Sequence, residues 1–401
     1  MQCRICKENT EEIFNLGDTP PANSLMSSSL ETQQSYPLVL DLCPKCHNVQ
    51  LRDCISEEEL YKNYFYVTPD SPMLHKHYKY LNNYLKASNY INKNSFALEV
   101  GSNIGLFLDF IKPEVSKVLG IDPAENICKM AIESGVDTIC DFFDKDSAYK
   151  IEEEYGKPDI IIARHCFAHN SDPHILMKGV TNLLSAEGCV VIENAYILNT
   201  IESNEFDQVY HEHMFYYSIR SMMFLLEMNG LKLIDVLISL VHGGSIIFVA
   251  SHSSSKHQIN KSVAQYLSRE QLFLTNQAYR NFSENSYKIR DQIKLLIEKI
   301  KNEGKTIYTY GATAKGNTLL NFLEITNKEI PFCVDSTKIK HGKYLPKSNI
   351  KIISEDDASL NPPDYFLLTA WNYQDEIINK TRSSGNYSSK FIVPFPFVHV
   401  V

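Results

Sequence analysis

The spacing of apolar positions changes sharply along the chain. From residue 95, short unbroken apolar runs alternate with longer stretches of helical spacing. "SFALEVGSNIGLFLDFI" reads as a buried strand, a glycine turn and a helix, and "KVLGIDPAE" is a second strand that ends at Asp122. "DIIIARHCFAHNSDPHILMKGVTNLL" and "GCVVIENAY" continue the alternation. Runs of this kind suit strands covered on both faces, and helices between them predict a parallel sheet with ligands at the strands' carboxyl ends. The pattern then recurs. Ile289, Ile293, Leu296 and Ile300 predict a helix from about Ser286, followed by "KTIYTYGATAKGNTLLNFL", "IPFCVDSTKIKHGKYLP" with Asp335 closing a strand, and "PDYFLLTAWNY". The fold class is therefore α/β, with two such halves in one chain.

The first 70 residues follow neither period. They carry two C-x-x-C pairs, Cys3/Cys6 and Cys43/Cys46, around the loop-like "GDTPPANSLMSSSLETQQSYP". Two knuckles of this kind supply four thiolates to a tetrahedral zinc ion, a structural site with no open ligand position. The expected organisation is a zinc-binding unit over 1–70, an α/β unit over 71–200, a connecting segment over 201–285 and a second α/β unit over 286–401. A length of 401 residues suits two or three domains.

Composition narrows the partners. A net charge of −9 argues against nucleic acid, since phosphate neutralisation needs a basic face. The longest apolar runs, such as "LISLV" and "IIFVA", fall far short of a bilayer span, so no membrane partner is expected. No apolar export segment follows the start "MQCRICKENT", so the ten cysteines read as thiols or metal ligands in a cytoplasmic protein, with a monomer the default.

Two turns carry candidate chemistry. In the first half Glu99, Gly101, Ser102, Asn103 and Gly105 form E-x-G-x-x-x-G, and Asp122 stands where an acid after a βα unit receives ribose hydroxyls. This is not the G-x-G-x-x-G of dinucleotide sites. In the second half Gly311, Lys315, Gly316 and Asn317 lie between strand and helix, where Lys315 and a helix amino terminus suit a diphosphate. Between the halves lies "VYHEHMFYYS", with two histidines, a glutamate and three tyrosines in ten positions.

The first glycine turn resembles that of class I S-adenosylmethionine methyltransferases. The paired C-x-x-C motifs, "YHEH", "HGGS", "YGATAKGNTLLN" and "VDSTKIKHGKYLP" together resemble the sugar C-methyltransferase family over essentially the whole chain. That resemblance implies a zinc-binding domain, a central Rossmann-like domain for S-adenosylmethionine and a second Rossmann-like domain for the nucleotide sugar. It also implies methylation at C3 of a nucleotide-linked 4-keto-6-deoxyhexose, on thymidine or guanosine diphosphate. By the same resemblance His213 is the base, with Tyr210 on the substrate and Glu212 shaping their ionisation. His169 and Tyr64 stand beside them, and His165 near the cofactor. Tyr66, His242 and Gly244 face the sugar, with Gly311, Lys315, Gly316, Asn317 and Asp335 on the nucleotide side. One departure is Ile104, where the family's turn is expected to carry an acid.

The chemistry accounts for the polar cluster. A ketone at C4 lets the C3 proton leave because the charge moves onto oxygen, so a base, an oxyanion donor and an aimed methyl are all required. Tyr210 and His213 converge on a helical turn but oppose each other on a strand, so the assignment requires a turn at 210–213. A nicotinamide oxidoreductase or dehydratase is the main rival reading; it would call for G-x-G-x-x-G and Tyr-x-x-x-Lys in suitable contexts, which the chain lacks. An inactive zinc-ribbon binding protein is a second alternative, and "HEH" lacks the H-E-x-x-H spacing of a catalytic zinc helix.

Overall fold

The computed structural model describes residues 1–61, 67–68, 70–239, 244–386 and 388–401, with the side chains of 58 and 61 excepted. Its strands fall into three sheets. The first unit contributes β1 (Glu11–Thr19), β2 (Tyr36–Leu42) and β3 (Val49–Leu51). The central unit contributes β4 (Phe96–Val100), β5 (Lys117–Asp122), β6 (Thr138–Cys140), β7 (Ile160–Arg164) and β8 (Cys189–Ala195). Then come β9 (Phe215–Tyr216), β10 (Leu231–Ser239) and β11 (Ser245–His252). The last unit has β12 (Ile307–Tyr310), β13 (Phe332–Val334), β14 (Lys351–Ile353), β15 (Tyr365–Leu368), β16 (Lys390–Val393) and β17 (His399–Val400).

The central sheet has the order β10-β11-β8-β7-β4-β5-β6. Strands β8, β7, β4, β5 and β6 run parallel, while β11 and β10 extend the sheet as an antiparallel pair. The apolar runs are buried as expected, with Ile160, Ile161 and Ile162 fully covered. Order reverses between β4 and β7, so their carboxyl ends open the crevice where ligands bind in such sheets. The last sheet, β14-β13-β12-β15-β16-β17, repeats the plan, with its reversal between β12 and β15.

Two expectations about extent are corrected. Strands β10 and β11 belong to the central sheet, so that unit runs well past residue 200. Their pairing is long-range and antiparallel, which a search for strand–helix alternation does not find. The helix expected from Ser286 starts ten residues earlier, spanning Asn276–Asn302 with Thr275 capping the Ala278 N–H. Its buried stripe runs through Tyr279, Phe282, Ile289, Ile293, Ile297 and Ile300, with Leu296 half-buried beside it. It packs into one core with Phe14 and Leu38 of the first unit and Leu319 and Leu367 of the last.

The first sheet is completed from elsewhere. Its order is β1-β2-β3-β9, so a strand from the "VYHEHMFYYS" segment pairs on β3. Cys3, Cys43 and Cys46 share a core with Phe215, Tyr217 and the central sheet.

Candidate active site

The crevice at the β4–β7 switch point is a cleft with about 1250 Å³ of empty space, its mouth included. Gly101, Ser102, Asn103, Asp122, Asp141, Phe142, Arg164, His165 and His169 are among its lining residues. Gly101 has φ +63°, and a Cβ there would stand 2.6 Å from the Cys166 Cβ, so the position has room only for glycine. Asp122 ends β5 and accepts the Asn103 N–H at 3.0 Å and the Ala124 N–H at 3.1 Å. Burial pushes its carboxyl up, while those two amides pull it down. Gly105 begins the helix Leu106–Ile111.

Glu99 is buried behind the turn and bonded to Arg164 at 2.7 Å, outside the residues that line the cleft. Arg164 lines the cleft in its place, lying over the rings of Phe107 and Tyr78. Beside it, Glu193 of β8 is fully buried, bonded to His77 at 2.8 Å and 3.8 Å from His165. Burial alone would raise Glu193, but His77, His165 and Arg164 together bring it down to about 2. His165 holds a left-handed φ of 54°, its N–H donating to the Glu193 carbonyl at 2.7 Å.

His169 joins the cleft to the polar cluster. It lines the cleft, and its ring stacks on that of His213 with centroids 5.2 Å apart. Burial lowers the His169 pKa to about 4, so the ring is neutral near pH 7. Residues 210–213 form a turn, with the His213 N–H donating to the Tyr210 carbonyl at 2.9 Å. Tyr210 and His213 therefore converge. His213 Nδ1 lies 3.1 Å from the Gln208 carbonyl, which can only accept, so Nδ1 carries the hydrogen and Nε2 is the free base. Tyr210 Oη donates to that Nε2 at 2.6 Å. Burial holds His213 well below the ordinary histidine range, reinforced by His169, His165 and Lys315 nearby.

The other members of the motif face different surroundings. Glu212 is buried, takes a 2.8 Å hydrogen bond from Asn23 Nδ2, and is pushed up by burial. His211 is buried against Tyr36. After the turn, Met214 donates to the Ala168 carbonyl at 2.9 Å and its own carbonyl accepts from Leu51 at 3.0 Å. One residue thus ties the motif to the central unit and to the first.

The four expected cysteines come together. Their sulfurs all lie within 4.8 Å of one another, with Cys3–Cys46 at 3.5 Å and Cys6–Cys43 at 3.4 Å. Tetrahedral zinc with bonds of about 2.3 Å sets sulfurs roughly 3.8 Å apart, which this cluster fits. The knuckles match in backbone: Lys7 and His47, each after a second cysteine, have φ 61° and 57° and donate to the carbonyls of Cys3 and Cys43.

The second glycine turn is filled. Gly311 has φ +110°, and a Cβ there would stand 2.5 Å from that of Ala370. Gly316 packs on Thr369. Asn317 Nδ2 donates to the Ala22 carbonyl at 2.6 Å. Asp335 accepts the N–H groups of Ala312 and Thr337, both at 2.8 Å, and Lys340 lies 3.5 Å away. Lys315 lies over the Trp371 ring, with buried Asp207 accepting the Trp371 indole N–H at 2.6 Å. Gly244 packs against Asn199. The expectations for Tyr64, Tyr66 and His242 fall outside the described residues.

Comparison with known proteins agrees with this anatomy. The model described as "Putative zinc binding domain" matches residues 3–61, and "Methyltransferase domain" matches 73–236. "C-methyltransferase C-terminal domain" matches 240–396. The C-methyltransferase NovU of Streptomyces niveus is 33% identical over 405 residues, covering 100% of this chain and 96% of that protein. The chain belongs to the C-methyltransferase family. It is an enzyme of S-adenosylmethionine chemistry with a zinc-binding first domain.

Solved structures overlap a little under half of this C-methyltransferase. The N-methyltransferase NodS of Bradyrhizobium japonicum is 12% identical, covering 46% of this chain and 98% of that one at a TM-score of 0.35. The magnesium protoporphyrin IX methyltransferase of Synechocystis, solved with S-adenosylhomocysteine, is 12% identical, covering 45% and 83% at 0.35. Among the described residues, no helix of the C-methyltransferase is long and apolar enough to cross a membrane.

Sequence reasoning missed Arg164, His77, Glu193 and Phe142. Arg164 had a usable signal, since it is the last residue of a parallel strand and so stands at the ligand end of the sheet. His77 and Glu193 had none: they lie 116 residues apart and meet only through folding.

Proposed function

We propose that this C-methyltransferase adds a methyl group to C3 of a nucleotide-linked 4-keto-6-deoxyhexose. The observation that carries the reading is the Tyr210 Oη–His213 Nε2 contact at 2.6 Å, with the His213 ring stacked on a cleft-lining histidine. A neutral imidazole whose Nδ1–H is held by a backbone carbonyl, leaving Nε2 unprotonated, suits the removal of a carbon-bound proton.

The β4–β7 cleft suits S-adenosylmethionine, since Gly101 allows close backbone approach and Asp122 offers buried carboxylate oxygens to ribose hydroxyls. When bound there, S-adenosylmethionine supplies an electrophilic methyl on a sulfonium. His213 Nε2 takes the C3 proton, and the C–H electron pair moves into the C3–C4 bond as the C4 oxygen becomes an enolate. Tyr210 turns its hydroxyl from Nε2 to that oxygen and donates to it, which frees Nε2 for the proton. The bound donor would offer its methyl to C3, the sulfonium C–S bond breaking and its electron pair staying on the sulfur of departing S-adenosylhomocysteine, and His213 returns its proton to solvent. Lys315, near enough to depress His213, adds positive charge on the side of the last domain, which we assign to the nucleotide.

The test incubates enzyme and methyl donor with thymidine- and guanosine-diphosphate 4-keto-6-deoxyhexoses, followed by mass spectrometry. One added methyl on the sugar is expected, and none on the 4-hydroxy analogues. Methylation of the 4-hydroxy sugar at equal rate would sink the enolate route.

A further inference from the structure

The first domain reaches the catalytic turn by two separate routes. Three residues after Cys46, β3 begins and pairs with β9, which starts two residues after His213. The second route is the excursion between the knuckles, whose Asn23 donates from Nδ2 to Glu212 Oε1 at 2.8 Å. Glu212 Oε2 is buried with no hydrogen-bond partner among the described residues, so Asn23 is the side chain that sets the carboxylate's orientation.

Asn23 is itself held from outside its own domain. Asn321 Nδ2 donates to Thr19 Oγ1 at 2.7 Å, Asn317 Nδ2 to the Ala22 carbonyl at 2.6 Å, and Met26 exchanges backbone hydrogen bonds with Tyr344. The last domain therefore clamps the excursion on both sides of the residue that touches the turn.

We propose that Asn23 is a positioning residue for the reaction, through which the zinc-held first domain keeps Glu212 aligned beside the Tyr210–His213 pair. This rests on the functional reading above for its kinetic consequence, though not for the contact itself. Backbone N–H groups of Asn23 and Glu212 and the Asn23 side chain all favour the Glu212 carboxylate, and the side-chain bond is the one that Asn23→Ala removes, weakening its ionised, oriented form. Among the described residues Tyr216 of β9 feels the Glu212 charge, and Tyr210, His211 and His213 stand in the same turn, while Asn23 is a neutral donor. Asn317 acts one step further out, by holding the loop that carries Asn23.

The experiment compares the full-length wild type with Asn23→Ala and Asn317→Ala. The Glu212 carboxyl is followed by carbon-13 NMR against pH and assigned by its loss in Glu212→Gln. We expect Asn23→Ala to move the Glu212 titration upward, with melting temperature, zinc content and S-adenosylmethionine affinity at wild-type values. In the keto-sugar assay, kcat should fall roughly 10–100-fold, the usual cost of removing a hydrogen bond to a charged group. Asn317→Ala should move both readouts in the same direction by less. A Glu212 titration identical in wild type and Asn23→Ala overturns the proposal, as does a shifted titration with unchanged kcat. A wild type that methylates no keto sugar sinks the functional reading instead, and the titration still decides whether Asn23 controls Glu212.

Discussion

The two α/β units use the same local grammar and reach opposite ends. In each, a strand leads through a positive-φ glycine into a helix, and an acid closes the neighbouring strand. Asp122 accepts the Asn103 and Ala124 amides; Asp335 accepts those of Ala312 and Thr337. Each acid thus bonds the glycine turn and the residue two places on in its own chain. The difference is what stands beyond. At Asp122 the structure leaves a cleft. At Asp335, Lys340 reaches across to the acid and donates to the Ala312 carbonyl at 2.8 Å, while Asn317 is spent on Ala22. The two turns therefore differ in whether a side chain of the protein, here Lys340, also reaches the acid.

The largest effect should come from the turn that adjoins the open cleft. His213→Ala should lower methyl transfer roughly 10²–10⁴-fold, the usual reach of general-base catalysis, with cofactor affinity unchanged by calorimetry. Loss of both together would mean that His213 holds the cleft rather than the proton. Next, Asp122→Asn should weaken S-adenosylmethionine binding about 10–100-fold, because hydroxyls then meet an amide instead of a charge. Asp335→Asn should leave that affinity alone and show only in the melting temperature. Equal losses from the two variants would erase the contrast between the units.

The pH dependence gives a smaller effect with a definite sign. The pKa of His169 is lowered to about 4 from an ordinary 6.5, so the unfolded chain takes up this proton first. Its contribution to stability is complete above about 6.5 and shrinks as pH falls toward 4. His169→Asn should flatten the melting temperature over that window; an unchanged slope would place the effect elsewhere. The same direction at His213 puts the acid limb of kcat below 6.5. The smallest change is expected from Lys340→Ala, at about 1 kcal/mol of stability for its partly exposed bonds to the Ala312 carbonyl and Asp335.

Much of this was legible before folding was considered. The runs around Ile160–Ile162 and Val190–Ile192 are continuous because both faces of a parallel strand are covered, so pattern alone located them. The cysteines were legible because a two-residue spacing leaves a knuckle few geometries. The convergence of Tyr210 and His213 followed once a turn was required. Long-range contacts were not legible. The β10–β11 extension depends on pairing with β8, and Glu99 meets Arg164 across 65 residues.

By itself, then, the sequence determined the residue types, the strand and helix periods, the metal knuckles and the grouping of histidines and tyrosines in one short segment. Each follows from interactions within a few residues, where chain geometry leaves little choice. Only the tertiary structure decided that a cleft opens at the first glycine turn, that Lys340 reaches Asp335, and that Asn23 from the first domain meets Glu212 nearly two hundred residues away. Those outcomes depend on which distant side chains the packing brings to a buried polar atom, because leaving such an atom unpaired costs free energy.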